Sequence, residues 1–189
     1  MQHAFRRAQS KTTRELGGPF FRDWKNSVES LHGWRDGDDS FTNYIAHPLQ
    51  GALTARIFVN NSDLSKRQEF GSSSSYWRSR LKAAAWAAAW SAQFELGPIS
   101  EASIGNVGLR KRNGYGTMGY VDLVITPVMG TTLLLAEDAI DRYILKNWIE
   151  RITNNKTTIQ LIRMFLTPTT SVSNILRRKM PWKRDERPL

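Results

Sequence analysis

Residues 76–96 read Tyr76-Trp77-Arg78-Ser79-Arg80-Leu81-Lys82-Ala83-Ala84-Ala85-Trp86-Ala87-Ala88-Ala89-Trp90-Ser91-Ala92-Gln93-Phe94-Glu95-Leu96, and the fold class turns on this stretch. Its alanines favour helix, and no Gly or Pro interrupts it, so a long α-helix is predicted. Trp86, Trp90 and Phe94 form a bulky stripe at i, i+4, i+8. Ala84, Ala88, Ser91 and Glu95 make a small-residue strip roughly opposite, on which another backbone can approach closely. Glu95 is therefore expected in a helix–helix contact. The chain is predicted to be all-α: a compact bundle of four or five main helices with kinks at Pro48 and Pro127 and irregular basic termini.

Towards the N-terminus, Asn43, His47, Gln50 and Thr54 fall at i, i+4, i+7 and i+11, with Tyr, Ile, Leu, Ala and Phe around most of the remaining circumference. A solvent face would carry Lys and Glu, so this stripe reads as an interior polar seam. Pro48 either kinks that helix or stands as its first residue behind an N-cap at His47; the kink is the reading favoured here. Asp36-Gly37-Asp38-Asp39-Ser40 is a turn cluster able to cap the helix that begins near Phe41. A short amphipathic helix is expected around Phe21–Leu31, and residues 60–75 are expected to form a loop.

Towards the C-terminus, Tyr120–Thr126 is followed by a break over Pro127–Gly130. A long helix then runs from about Thr132 to Ile152, and another covers Lys156–Leu166 with Ile159, Ile162 and Phe165 inward. Glu137, Asp138 and Asp141 read as a solvated face, Asp138 pairing with Arg142 at i, i+4. Glu95 and Asp122 differ because their neighbours are apolar. An ionised carboxylate there needs a partner such as His47, Asn43, Arg80 or Arg163, or must take up a proton. The organisation expected is a basic N-terminal segment (1–35), a helical core (36–166) and a basic Pro-containing tail (167–189).

Forty per cent apolar and 23% charged residues place the chain among globular proteins, and 189 residues suffice for one domain with a real core. The absence of Cys excludes disulfides, thiolate zinc sites and Cys nucleophiles. A net charge of +10 and seven Trp suit an anionic membrane surface. Nucleic acid is the weaker reading, because no helix-turn-helix, ribonucleoprotein or zinc-finger pattern is present and the positive charge is dispersed. Met1–Arg14 is basic and polar and lacks the apolar core of an export signal. Gly17-Gly18-Pro19-Phe20-Phe21 reads like the middle of a folded chain, which leaves open whether Met1 is the natural start. No uninterrupted run long enough for a conventional spanning helix is read in 121–136.

Gly114-Tyr115-Gly116-Thr117-Met118-Gly119 matches a dinucleotide fingerprint by letter, but a basic loop rather than a strand precedes it. Gly97-Pro98-Ile99-Ser100-Glu101 lacks the spacing of a nucleophile elbow, which leaves Ser100 as a helix cap. A zinc site at His47 would need Glu95, Glu101 or Asp122 beside it; a lone interior histidine is more often a satisfied core residue, and no metal or cofactor is expected.

The order of Asp36-Gly37-Asp38, Asn43-Tyr44-Ile45-Ala46-His47-Pro48-Leu49-Gln50-Gly51, Phe94-Glu95, Pro98-Ile99-Ser100-Glu101 and Asp122-Leu123-Val124-Ile125-Thr126-Pro127-Val128-Met129-Gly130 resembles an uncharacterised bacterial envelope family. That family has Asn-Tyr-x-x-His-Pro, Pro-x-Ser and Asp-x-x-x-Thr-Pro-x-x-Gly elements. The layout is more distantly similar to the VanZ-like helical membrane proteins, with Thr126-Pro127 where that group carries Asn. The resemblance implies an all-helical, membrane-associated envelope protein whose biochemical role is not established.

The function expected is structural or binding rather than catalytic, with a membrane surface or anionic lipid as partner. Asn43, Gln50, Ser100 and Glu101 are the candidate binding residues. The rival expectation is a hydrolase or transferase acting on lipid or an envelope glycan precursor, with His47 as general base and Glu95 or Asp122 orienting it.

Overall fold

A computed structural model of the chain describes residues 17–105 and 118–189. The basic loop Arg110–Asn113 and most of the Gly-rich fingerprint lie outside these residues, as does the stretch before Gly17. The fold is all-α, 71% helical with six helices, and contains no strand among the described residues. Helix α1 spans Phe20–Glu29, α2 His47–Asn61, α3 Ser74–Leu96, α4 Val121–Ala139, α5 Lys156–Leu166 and α6 Pro168–Leu176. Wider π-helical turns occupy Thr42–Ala46, Glu101–Gly105 and Ile140–Ile149.

The N-cap alternative at His47 and the break over Pro127–Gly130 do not form. His47 has helical dihedrals, so it is not an N-cap, and the chain passes from the π turn at Thr42–Ala46 directly into α2. A proline ring at 48 would crowd the carbonyl of residue 44 in an α-turn, and the wider turn relieves that contact. Pro127 likewise sits inside α4, which continues through Gly130 rather than stopping. As a result Val121–Ile152 forms one helix long and apolar enough to cross a membrane, where the sequence suggested an interrupted stretch.

The chain divides into two compact units. The first comprises Met1–His47 and Ala88–Thr126, the second Pro48–Ala87 and Pro127–Leu189. In the first, α1 packs on the π turn Glu101–Gly105, and the Trp24 indole N–H donates to the Leu96 carbonyl at 3.0 Å. Phe94, Ala102, Ile104, Met118 and Val121 are buried there.

In the second unit Ala55, Val59, Ala83, Ala87 and Leu134 form the apolar core, with Phe58 against it. In this unit α3 buries Ala83 and Ala87, one position back from the expected Ala84 and Ala88, whereas Ser91 and Glu95 of the expected strip are buried in the first unit; Trp86 is 47% exposed and lies against Phe58. The smallness of these residues has a use. At Gly130 an added Cβ would come within 2.7 Å of the backbone of Gly51 and Ala52, so α2 and α4 meet backbone to backbone. On α5 Ile159 and Arg163 are buried, whereas Phe165 points outward at 78% exposure.

The acidic face of α4 is not solvated. Glu137 and Asp138 are buried, and Asp138 receives Arg56 Nη1 at 2.7 Å, Arg80 Nε at 2.6 Å and the Tyr76 hydroxyl at 3.0 Å. Glu137 accepts from the backbone N–H and hydroxyl of Thr169, both at 2.7 Å, and from Thr170. Arg142 donates instead to the Phe70 carbonyl. The basic tail is also tied down: the guanidinium of Arg163 donates to the carbonyls of Trp182 and Arg187, both at 3.2 Å, and Asn174 Nδ2 donates to those of Pro181 and Lys183.

Candidate functional site

In the first unit, residues 32–34 run beside 118–121. The His32 N–H donates to the Met118 carbonyl at 2.9 Å, and the N–H groups of Tyr120 and Val121 donate to Gly33 and Trp34 at 3.1 and 3.0 Å. The two strands of chain approach so closely that a Cβ on Gly119 would lie 2.4 Å from the Arg35 carbonyl carbon. This clasp has a consequence for chemistry. It delivers the Asp36–Asp39 turn to the head of α4, where Asp122 stands in the first helical turn.

The turn itself is built by Gly37, whose φ of +97° is open to glycine and strained for other residues. Asp36 Oδ1 accepts from the Asp38 N–H and from Asn43 Nδ2, both at 3.0 Å. Asp39 Oδ1 accepts from the Thr42 N–H at 2.8 Å, the capping role expected of this cluster.

His47 Nε2 lies 3.4 Å from Asp122 Oδ2, and both residues are buried, at 5% and 3% exposure. Phe94 meets the imidazole edge-on at 6.5 Å and is itself stacked on Trp90 at 5.2 Å. Ser91 Oγ donates to the Asp122 carbonyl at 3.0 Å, fixing α3 against the head of α4. One donor atom each from Asp38, His47 and Asp122 lie within 4.8 Å of one another. A cavity of about 480 Å³ opens beside them, walled by Trp34, Asp38, Asn43 and Tyr44.

The electrostatics of this cluster are one-sided. Burial pushes the Asp122 carboxyl up, and the hydrogen bond to Asp36 with the charges of Glu95, Asp36 and Asp38 carries it to about 9. Asp36 feels burial too, but hydrogen bonds from Asp122, the Asp38 N–H and Asn43 hold it below the ordinary carboxylate range. With both acids ionised, Asp122 Oδ1 has no hydrogen-bond partner among the described residues, and neither does Asn43 Oδ1. Arg80 and Arg163, the cations expected to serve Glu95 or Asp122, bind Asp138 and Glu150 instead. A buried carboxylate surrounded by acids can be neutral through a proton or through a bound cation.

The remaining candidates divide. Glu95 is buried within electrostatic reach of Asp122. Ser100 exchanges hydrogen bonds with Ser103, its N–H donating to Ser103 Oγ at 2.8 Å and its Oγ accepting from the Ser103 N–H at 3.3 Å; this caps the π turn and presents no activated nucleophile. Glu101 is buried on that same turn. Gln50 and Thr54 belong to the second unit, where Thr54 donates to the Gln50 carbonyl at 2.8 Å.

Asp36 and Asp38 were not anticipated as site residues, because a helix cap accounts for such a turn. The available signal was their number: three aspartates in four positions exceed what one cap uses. No protein-family model, no curated protein and no solved structure matches this chain.

Proposed function

We propose that this chain is a binding protein rather than an enzyme, that its cluster of exposed Asp38 with buried His47 and Asp122 holds a divalent transition-metal ion, and that it works at the membrane surface of a bacterial cell envelope. The observation that carries the metal reading is the convergence of Asp38, His47 and Asp122 donor atoms within 4.8 Å, with one Asp122 oxygen lacking a hydrogen-bond partner among the described residues once Asp36 and Asp122 are both ionised. Imidazole with two carboxylates suits Zn²⁺ or Mn²⁺ better than Ca²⁺ or Mg²⁺, which prefer all-oxygen shells. Asn43 fixes Asp36 and Phe94 steadies the imidazole, so supporting contacts accompany the ligands. The adjoining cavity supplies a route for the ion and room for water.

Membrane association is supported by the net charge of +10 and by Phe41, Tyr44 and Ile45, an exposed apolar stripe beside the buried Asn43 and His47. Surface binding is the mode proposed. The helix Val121–Ile152 is long and apolar enough to span, but Asp122, Glu137, Asp138, Asp141 and Glu150 lie along it, which suits the interior of a folded protein better than lipid.

Equilibrium dialysis against Zn²⁺, Mn²⁺, Ca²⁺ and Mg²⁺ tests the metal. One equivalent of Zn²⁺ or Mn²⁺ is expected, weakened at least tenfold in His47→Ala and in Asp122→Asn. Binding in both variants as tight as in the parent chain would refute it. Partition to anionic vesicles, absent for neutral ones, tests the membrane assignment.

The His47–Asp122 pair also favours a second reading. Here Asp122 orients His47 as general base in a hydrolase or transferase acting on lipid or an envelope glycan precursor. Turnover that vanishes in a folded His47→Ala variant would select it.

A further inference from the structure

The second unit contains a cleft of about 660 Å³ that the metal reading does not use. Its wall carries ten cationic side chains against five acidic ones, so most of the positive charge there must be accounted for. The acids are already shared. Asp138 is divided between Arg56 and Arg80, Asp141 between Arg184 and Arg187, and Asp185 between Lys179 and Arg177. Arg177 has the loosest of these contacts, at 3.9 Å. Arg67 and Lys183, both exposed, make no ion pair among the described residues. Glu69 is taken by Lys146, and acids beyond the wall meet others of its cations: Asp63 meets Lys66, Glu150 meets Arg187 and Glu137 meets Arg56. Arg67 and Lys183 stay outside these pairs, and the tethered tail holds Lys183 in place. Burial chiefly, with the neighbouring Arg163 and Arg187, pulls the Arg184 guanidinium below its ordinary range against the opposing charge of Asp141.

We propose that this cleft binds a phosphate-bearing ligand, its anionic group seated against Arg67, Arg177 and Lys183. Guanidinium forks and ammonium groups together recognise phosphate oxygens, and such charge-assisted hydrogen bonds are the strong ones. The volume exceeds what inorganic phosphate needs and fits a phosphoester with a further polar group attached. A lipid headgroup and a soluble phosphoester share that chemistry.

The test measures binding of the full chain to glycerol 3-phosphate by calorimetry and to phosphatidylglycerol vesicles by sedimentation. Both are repeated with Arg67→Gln/Lys183→Gln and with a charge-matched control, Lys25→Gln/Lys82→Gln, placed outside the cleft. All four positions are exposed, so each variant should fold. The expected result is saturable binding weakened about tenfold in the cleft variant and less than twofold in the control. Binding to the soluble phosphoester assigns a soluble ligand, and binding to vesicles alone assigns a lipid headgroup. Absence of binding in both arms, or equal loss in the two double variants, overturns the proposal.

Discussion

Asp122 and Asp138 lie on the same helix, are both buried, and live in opposite surroundings. Asp138 is enclosed by two guanidinium groups and a phenol, and although burial alone would raise it, Arg56 and Arg80 hold its carboxyl below the ordinary range. Asp122 is enclosed by acids and an imidazole, and is pushed up to about 9. One carboxylate is supplied with more positive charge than it carries; the other is starved of it. The second of these surroundings is the one to which the proposed metal ion is assigned.

The comparison breaks most visibly by mutation. Asp138→Asn leaves Arg56 and Arg80 buried and facing each other, and chemical denaturation should show a loss of about 3–5 kcal/mol. Asp122→Asn should leave metal-free stability at pH 8 unchanged or raised by about 1–2 kcal/mol, because the amide supplies without a bound proton the neutral group that burial among acids favours. Equal losses in the two variants would erase the distinction.

Steric tests come next. Gly119→Ala drives a methyl into the Arg35 carbonyl, so a loss of about 1–3 kcal/mol is expected, together with impaired metal uptake because the Asp36–Asp39 turn shifts. Gly33→Ala, where nothing lies within 4 Å, should pay only for its φ of +68° and leave metal uptake intact.

Acidity sharpens the contrast, since the two groups have opposite signs. Asp138 is depressed, so its contribution to stability is present above its unfolded value of 3.8 and disappears as pH falls below it. Asp122 is raised, so its contribution is complete below 3.8 and declines as pH climbs to about 9. The stability of Asp122→Asn relative to the parent should therefore grow with pH across that window in metal-free buffer, and a flat difference would contradict it. The smallest effect belongs to the half-exposed pair Lys146–Glu69: Lys146→Gln should change unfolding by about 0–1 kcal/mol.

Much of the framework was legible because local signals were strong. The Ala-rich stretch predicted from Tyr76 to Leu96 is a helix from Ser74 to Leu96, and Lys156–Leu166 matches its expected bounds. Tertiary context overrode the rest. Asp138 and Arg142 have the spacing of a surface pair, but nothing local announces that Arg56 and Arg80 arrive from other helices. Pro127 reads as a stop, yet the surrounding apolar residues keep the helix intact at the loss of one backbone hydrogen bond. His47, Glu95 and Asp122 stood out as polar residues in apolar company. Asp36 and Asp38 did not, because their neighbours are polar and only the clasp through Gly119 brings them beside Asp122.

The π turn at Thr42–Ala46 makes reading frame along the helix a functional quantity. A wide turn accommodates one residue more than a regular one, so shortening this segment by a single amino acid would press the backbone into the tighter α geometry that Pro48 opposes. Each residue advances about 100° around an α-helix, so Asn43 would then swing away from Asp36 while His47 stayed put. The straighter protein would be the one with the dismantled pocket.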